Sequence, residues 1–166
     1  MKKYIGAICS AVAGIFTFIL LSLNWITTKV SSEYLSVAEK SSANGWDLMK
    51  DGSDISGYTL FKLSSIIMII LAVLLIVSAI ILILQNLNIL KLKVDCNKIN
   101  NIILTVFVGF AVLAIIGAFV MAGDMSYSGF GLTVKSTVAF GGWAMAILAV
   151  VACVISWVMS TKKAKK

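Results

Sequence analysis

Chemistry in this 166-residue sequence would have to come from seven carboxylates, three cysteines and fourteen lysines, because it contains no histidine and no arginine. Without histidine no side chain has an unperturbed pKa near neutrality, and without arginine there is no bidentate fork for phosphate or carboxylate. The densest acids are Asp47, Asp51 and Asp54. With Asp51-Gly52 making a turn they could offer oxygen ligands to a divalent cation, but their spacing fits no EF-hand loop, and a solvated acidic loop is the simpler reading. Paired-carboxylate hydrolysis would need a second acid in a shaped pocket, which the sequence does not supply. Cys96, beside Asp95, reads as an unreactive thiol, and Asp124 and Lys135 as interfacial charges that anchor a short loop. The expectation is a chain with no catalytic residues, no metal and no cofactor, and hence not an enzyme.

The elements that would position any such residues are apolar. Hydrophobic residues make up 60% of the chain and charged residues 13%, against about a quarter in soluble domains. The few charges are clustered, leaving four long runs, and about 18 apolar residues suffice to cross a bilayer. The spacing predicts an all-α membrane protein, a bundle of four transmembrane helices over 4–25, 63–84, 102–123 and 139–159. One larger extracytoplasmic loop, 26–62, a shorter outer loop, 124–138, and a cytoplasmic loop, 85–101, connect them. No loop approaches the roughly 50 residues of a small domain, which excludes a soluble catalytic or nucleotide-binding unit. The first run is too long for a secretory h-region and lacks a small-residue cleavage site, so it reads as an uncleaved span, and Cys9 lacks the setting of a lipid-modified cysteine. Positions 5–23, 64–84, 102–122 and 140–159 contain no Asp, Glu, Lys, Arg or His. Ion-coupled pumps and charged-substrate pathways usually place an ionisable group there, so neither is expected.

Lysine placement predicts orientation. The N-terminus, the middle loop and the tail hold nine lysines and one acid, Asp95, whereas the first and third connections hold five lysines and six acids. Both termini are therefore expected in the cytoplasm of a multi-pass cell-membrane protein. The +7 charge reads as a topology signal, with no nucleic-acid partner. Trp25, Tyr58, Trp143 and Trp157 fall near span ends, where amphipathic rings anchor at the headgroups. Gly6, Ser10 and Gly14 on the first helix and Gly142 and Ala146 on the last form stripes of small residues for close helix contact. In the large loop, 31–40 could form a short helix presenting Tyr34, Leu35 and Ala38, and Trp46 is the exposed-loop aromatic that either packs the loop onto the top of the bundle, the simpler reading, or anchors a partner. The segments Ser56-Gly57-Tyr58-Thr59-Leu60 and Ser128-Gly129-Phe130-Gly131-Leu132 share an S-G-aromatic-x-L pattern, which would fit a duplicated hairpin. The preference for Lys, Ile, Asn and Ser over Arg and Pro suits an A/T-rich, low-GC bacterial genome.

A first span ending in Trp25, a long outer loop with Gly45-Trp46, and three further spans together resemble the outline of the claudin-like four-span proteins. Those families carry a loop cysteine pair after the second Trp. This loop has none, so the disulfide-braced sheet and the paracellular role are not carried over. Over its whole length the chain resembles the uncharacterised small four-span membrane proteins of low-GC bacteria, a resemblance that implies a fold and no activity. The function expected is that of an accessory, immunity or assembly factor acting through its outer loops and helix faces. Its partners would be the lipid bilayer and a membrane protein or further copies of itself. Trp46, Asp47, Asp51 and Asp54 would make the outer contacts. A homo-oligomeric channel or pore is the alternative, and a transporter subunit the third reading.

Overall fold

A computed structural model of the chain describes residues 4–32, 38–50, 55–91 and 94–161. Its elements in order are α1 (Ile5–Leu21), β1 (Asn24–Ser32), β2 (Ala38–Asn44), α2 (Gly45–Lys50), α3 (Tyr58–Asn86), α4 (Cys96–Asp124), β3 (Tyr127–Gly129), β4 (Leu132–Val138) and α5 (Phe140–Thr161). Helix α1 packs on α3 and α5, and α4 packs on the same two helices. The four long helices thus form a four-sided group with α1 and α4 on opposite corners. Phe61, Met68, Leu75, Leu104, Phe107 and Met145 fill its interior and are essentially fully buried. The outward faces remain apolar, as at Ile15, Ile70, Ile80, Ile116 and Ile147, which is unfavourable in water and suited to lipid.

The architecture departs from the all-α bundle expected above. Both long interhelical connections fold into a single four-stranded antiparallel sheet of order β2-β1-β4-β3. Three helices, Tyr58–Asn86, Cys96–Asp124 and Phe140–Met159, are long and apolar enough to cross a membrane. Helix α1 has 17 residues, or about 26 Å at 1.5 Å per residue, somewhat less than the hydrocarbon core of about 30 Å. It stops early because the chain turns into β1 at Asn24, so the run over 4–25 divides between helix and strand.

The other boundaries move for local reasons. Helix α3 begins at Tyr58 behind Gly57, whose φ of 82° suits a residue without a side chain. Helix α4 begins at Cys96 because Asp95 caps it, its carboxylate accepting from the backbone N–H of Asn97 (3.1 Å) and of Lys98 (3.2 Å). This shortens the connection expected over 85–101. Ala38 opens a strand rather than ending a short helix, and Tyr34 and Leu35 lie outside the described residues. The two S-G-aromatic-x-L segments are not structurally equivalent, since the first starts α3 and the second makes the β3–β4 hairpin.

Candidate functional site

The end of the molecule that carries the sheet is organised around Trp25. Its side chain is fully buried, its indole N–H donates to the carbonyl of Leu20 at 2.9 Å, and its ring meets Phe61 edge-on with centroids 5.3 Å apart. The indole thereby adds a second donor to a carbonyl at the end of α1 that already accepts from the Leu23 N–H at 3.2 Å. Three glycines from two other elements make room for it. A Cβ at Gly45 would lie 2.9 Å from the Leu21 carbonyl and 3.1 Å from the Trp25 nitrogen, and one at Gly141 would lie 2.8 Å from the Asn24 carbonyl, while Gly142 faces the other edge of the ring. The Ala139 N–H donates to the Trp25 carbonyl at 2.7 Å, tying the start of α5 to the start of β1. Trp25 is therefore a buried anchor of the sheet rather than a ring at the headgroups.

The first loop folds down onto this anchor. The Trp46 indole donates to Ser22 Oγ at 3.1 Å, which holds α2 against the end of α1 and turns this ring toward its own chain. Asp47 accepts from Asn44 Nδ2 at 2.7 Å while its own N–H donates to Asn44 Oδ1 at 2.9 Å, a reciprocal cap at the start of α2. Lys50 pairs with Asp47 at 3.5 Å. Asp51 and Asp54, the other acids proposed for outer contacts, lie outside the described residues. Among the described residues no group of three His, Cys, Asp or Glu side chains could hold a metal ion. Tyr58 is buried and its hydroxyl donates to the Met49 carbonyl at 3.0 Å, with the Lys62 ammonium 3.2 Å from the phenol oxygen, so this ring too braces the loop instead of meeting lipid. Asp124 accepts from the Ser56 N–H at 2.9 Å, joining the end of α4 to the start of α3.

The β3–β4 hairpin forms the other half of the sheet, opposite β1 and β2. Gly129 pairs with Leu132 across a two-residue turn, Phe130-Gly131, with φ of 52° and 72°. Positive φ at both central positions is the type I′ geometry, which favours Asn, Asp or Gly, and a bulky aromatic in that region is strained. Phe130 is nevertheless 94% exposed, with Tyr127 and Leu132 also exposed beside it. In the sequence Phe130 stands out only through the S-G-aromatic-x-L pattern it shares with Tyr58. The available signal was Gly129-Phe130-Gly131 ahead of a stretch holding Thr133, Val134, Thr137 and Val138.

On the helices, the small-residue stripe of α1 is turned inward. A Cβ at Gly14 would meet the Ala72 carbonyl of α3 at 2.7 Å, and one at Gly6 would lie 3.7 Å from Ser156 Oγ of α5. Ser10 donates to Asn100 Oδ1 of α4 at 2.7 Å, and Ser78 of α3 donates to the same oxygen at 2.8 Å. A second set joins α4 to α5, with Ser156 donating to Asn101 Oδ1 at 2.6 Å and the Trp157 indole donating to Thr105 Oγ1 at 3.0 Å. These contacts form a polar layer through all four long helices near the end remote from the sheet. Within it Asn100 Nδ2 is buried without a partner. Reversing the amide would put its oxygen in that place, so one group stays unpaired in either orientation. Trp143 and Trp157 are half-exposed on the outer surface, Trp143 edge-on to Phe119 at 5.4 Å, and Ala146 is half-buried against the core. Two apolar grooves flank the group, one of about 380 Å³ between α1 and α5 along Phe16, Leu20, Phe140 and Ile147, the other of about 320 Å³ between α3 and α4 along Leu74, Ser78 and Ile103.

The geometry has the marks of a multi-pass membrane protein, with helices long and apolar enough to cross a bilayer and a sheet mounted on one end. No family model and no curated protein matches the chain.

Proposed function

We propose that the protein is a non-enzymatic accessory or assembly factor of the cell membrane, which holds a membrane-protein partner through the β3–β4 hairpin. Its termini lie in the cytoplasm and its sheet outside, as the lysine distribution favours. The observation that carries this reading is Phe130, a large apolar ring almost wholly exposed on left-handed backbone. Strain of that kind persists where another requirement holds the residue in place, and an exposed ring rigidly mounted on a hairpin is suited to fill a partner's pocket. The binding surface thus moves from Trp46 and Asp47, which serve their own chain, to the second outer segment. The α1–α5 groove beside Phe140 offers an apolar seat for a partner helix.

Crosslinking in native membranes, followed by mass spectrometry, tests the reading. The native chain should give a reproducible foreign membrane protein, and Phe130→Asn should lose it while folding at least as well, because Asn-Gly suits a type I′ turn. Unchanged crosslinking by that variant would refute the hairpin. A ladder of self-crosslinks with conductance in liposomes would replace the accessory role by a homo-oligomeric channel.

A further inference from the structure

The register of the sheet aligns three lysines. Lys29 in β1 stands opposite Lys40 in β2 on one side and Lys135 in β4 on the other. Directly opposed residues share a face, and neighbouring strands are about 4.8 Å apart, so three ammonium groups leave the sheet in a row about 10 Å long. All three residues are exposed. Alternation explains which face this is. Ile26, Thr28, Val30, Val134, Ser136 and Val138 are buried or half-buried on the side of the helices, whereas Thr27, Lys29 and Ser31 of β1 and Thr133, Lys135 and Thr137 of β4 alternate with them on the other face. Glu39 stands opposite Val30 and so belongs to the inner face.

Like charges directly opposite one another destabilise a sheet, and a fold usually avoids them or inserts an acid. Here the row has no acid on its face among the described residues, and none of the three lysines makes an ion pair there, although Lys50 pairs with Asp47 and Lys62 reaches Tyr58. Hydroxyls flank the row on both sides. Toward the helices lie Ser42, Thr27 and Thr137, and toward the far end lie Ser31 and Thr133. Thr137 Oγ1 and Ser31 Oγ reach strand carbonyls only at 3.4 Å, leaving weakly engaged donors.

We propose that this outer face binds a phosphate-bearing polymer laid across the strands, with its phosphates over the row formed by Lys40, Lys29 and Lys135. Lysine meets phosphate as a point charge, and a tetrahedral phosphate has enough oxygens to take an ammonium beneath it and hydroxyls from either side, which a planar carboxylate does less well. The protein's own bilayer is the poorer source of phosphate. Lys29 lies five residues beyond Asn24, as much as about 16 Å along the strand, while charges act over about 8 Å at physiological salt. The positions on this face nearer the helices, Thr27, Ser42 and Thr137, carry no charge. Neither the lysine row nor the hydroxyls beside it involve Phe130, so phosphate binding stands or falls separately from the hairpin contact.

The full chain in nanodiscs of phosphatidylcholine, titrated with fluorescent inorganic polyphosphate, tests it. Binding should weaken with salt at a log–log slope of about −2, as three contacts to a flexible chain predict. Lys135→Gln alone should weaken it about fivefold to tenfold and flatten the slope by about 0.7. Replacing all three lysines by Thr should abolish it, while Lys98→Gln, on α4 at the opposite end, should change nothing. The triple variant removes repulsion and keeps β-forming residues, and if it fails to fold the single variant decides alone. Absence of binding, or binding indifferent to Lys135→Gln, overturns the proposal. Equal affinity for polyglutamate overturns it in favour of an acidic protein, and binding only to discs of anionic lipid overturns it in favour of the bilayer.

Discussion

One substitution made at two places on α4 should have opposite effects. Gly117 lies where α3 begins, and an added Cβ would stand 2.7 Å from the Phe61 nitrogen, 2.9 Å from its Cα and 3.0 Å from its Cβ. The first two are backbone atoms, so no rotamer change relieves them. Ordinary contact begins near 3.4 Å, so the helices must part locally by 3.4 − 2.7 = 0.7 Å. The same approach is used twice, because a Cβ at Gly57 would meet the Gly117 carbonyl at 2.7 Å. Overpacking of this size costs about 1–3 kcal/mol, offset by about 0.5–1 kcal/mol from replacing a helical glycine with alanine. The difference spans about 0–2.5 kcal/mol, and because the closest contact is to backbone that cannot rotate away, Gly117→Ala should destabilise by about 1–2 kcal/mol. At Gly109, eight residues earlier, nothing lies within 4 Å of the added atom. Gly109→Ala should thus be neutral or stabilise by up to about 1 kcal/mol. Thermal unfolding of both variants in one detergent, followed by the near-ultraviolet signal of the tryptophans, measures the difference. Since Phe61 packs edge-on against Trp25, Gly117→Ala should also disturb the Trp25 environment. If it proved as stable as Gly109→Ala, the close seating of α3 on α4 would be wrong.

Further expectations concern the anchor and the polar layer. Trp25→Phe keeps the apolar ring but removes the donor to Leu20, at a cost of about 1–2 kcal/mol, whereas Trp25→Ala should cost about 3–5 kcal/mol; amide exchange of β1 and β4 should speed up before that of the helices. Asn100→Leu should change stability by less than about 1 kcal/mol, because the mutation also removes the unpaired Nδ2 and Ser10 already lies 3.0 Å from the Gly6 carbonyl. A loss much larger than that, in the same unfolding assay, would show that the amide does more than join three helices.

The long apolar runs were legible because charge scarcity and length are properties of contiguous sequence, and α5 over Phe140–Thr161 begins within a residue of where its charges and glycines place it. The sheet was half-written in the same sequence. In β1, Ile26, Thr28 and Val30 alternate with Thr27, Lys29 and Ser31, and in β4, Val134, Ser136 and Val138 alternate with Thr133, Lys135 and Thr137, an alternation between faces in stretches rich in β-branched residues. That signal lost to an apolar triplet in 31–40 read as a helical face, and to the missing cysteine pair, which counted against any sheet. What could not be read was the pairing, since Thr27 meets Thr137 across most of the chain. Neither Gly45 nor Gly141 and Gly142 shows in sequence that it borders Trp25.

The absence of a disulfide did not preclude the sheet, because the helices already perform the closure that a crosslink would. Strand β1 follows α1 after two residues and β4 precedes α5 by one, and α1 packs against α5. Bringing those helices together therefore delivers both strands side by side, and most of the loop-closure entropy of pairing residues far apart is lost in forming the bundle rather than the sheet. The remaining requirement is to fix register, since a slip of one residue would exchange the Lys29 face for the Ile26 face. Trp25 supplies that constraint, with its indole bonded to Leu20 and its carbonyl to Ala139 just before the paired Ile26 and Val138. A buried tryptophan hydrogen-bonded to the helix end below it thus takes the place of a covalent brace, and bundle and sheet should unfold as one unit.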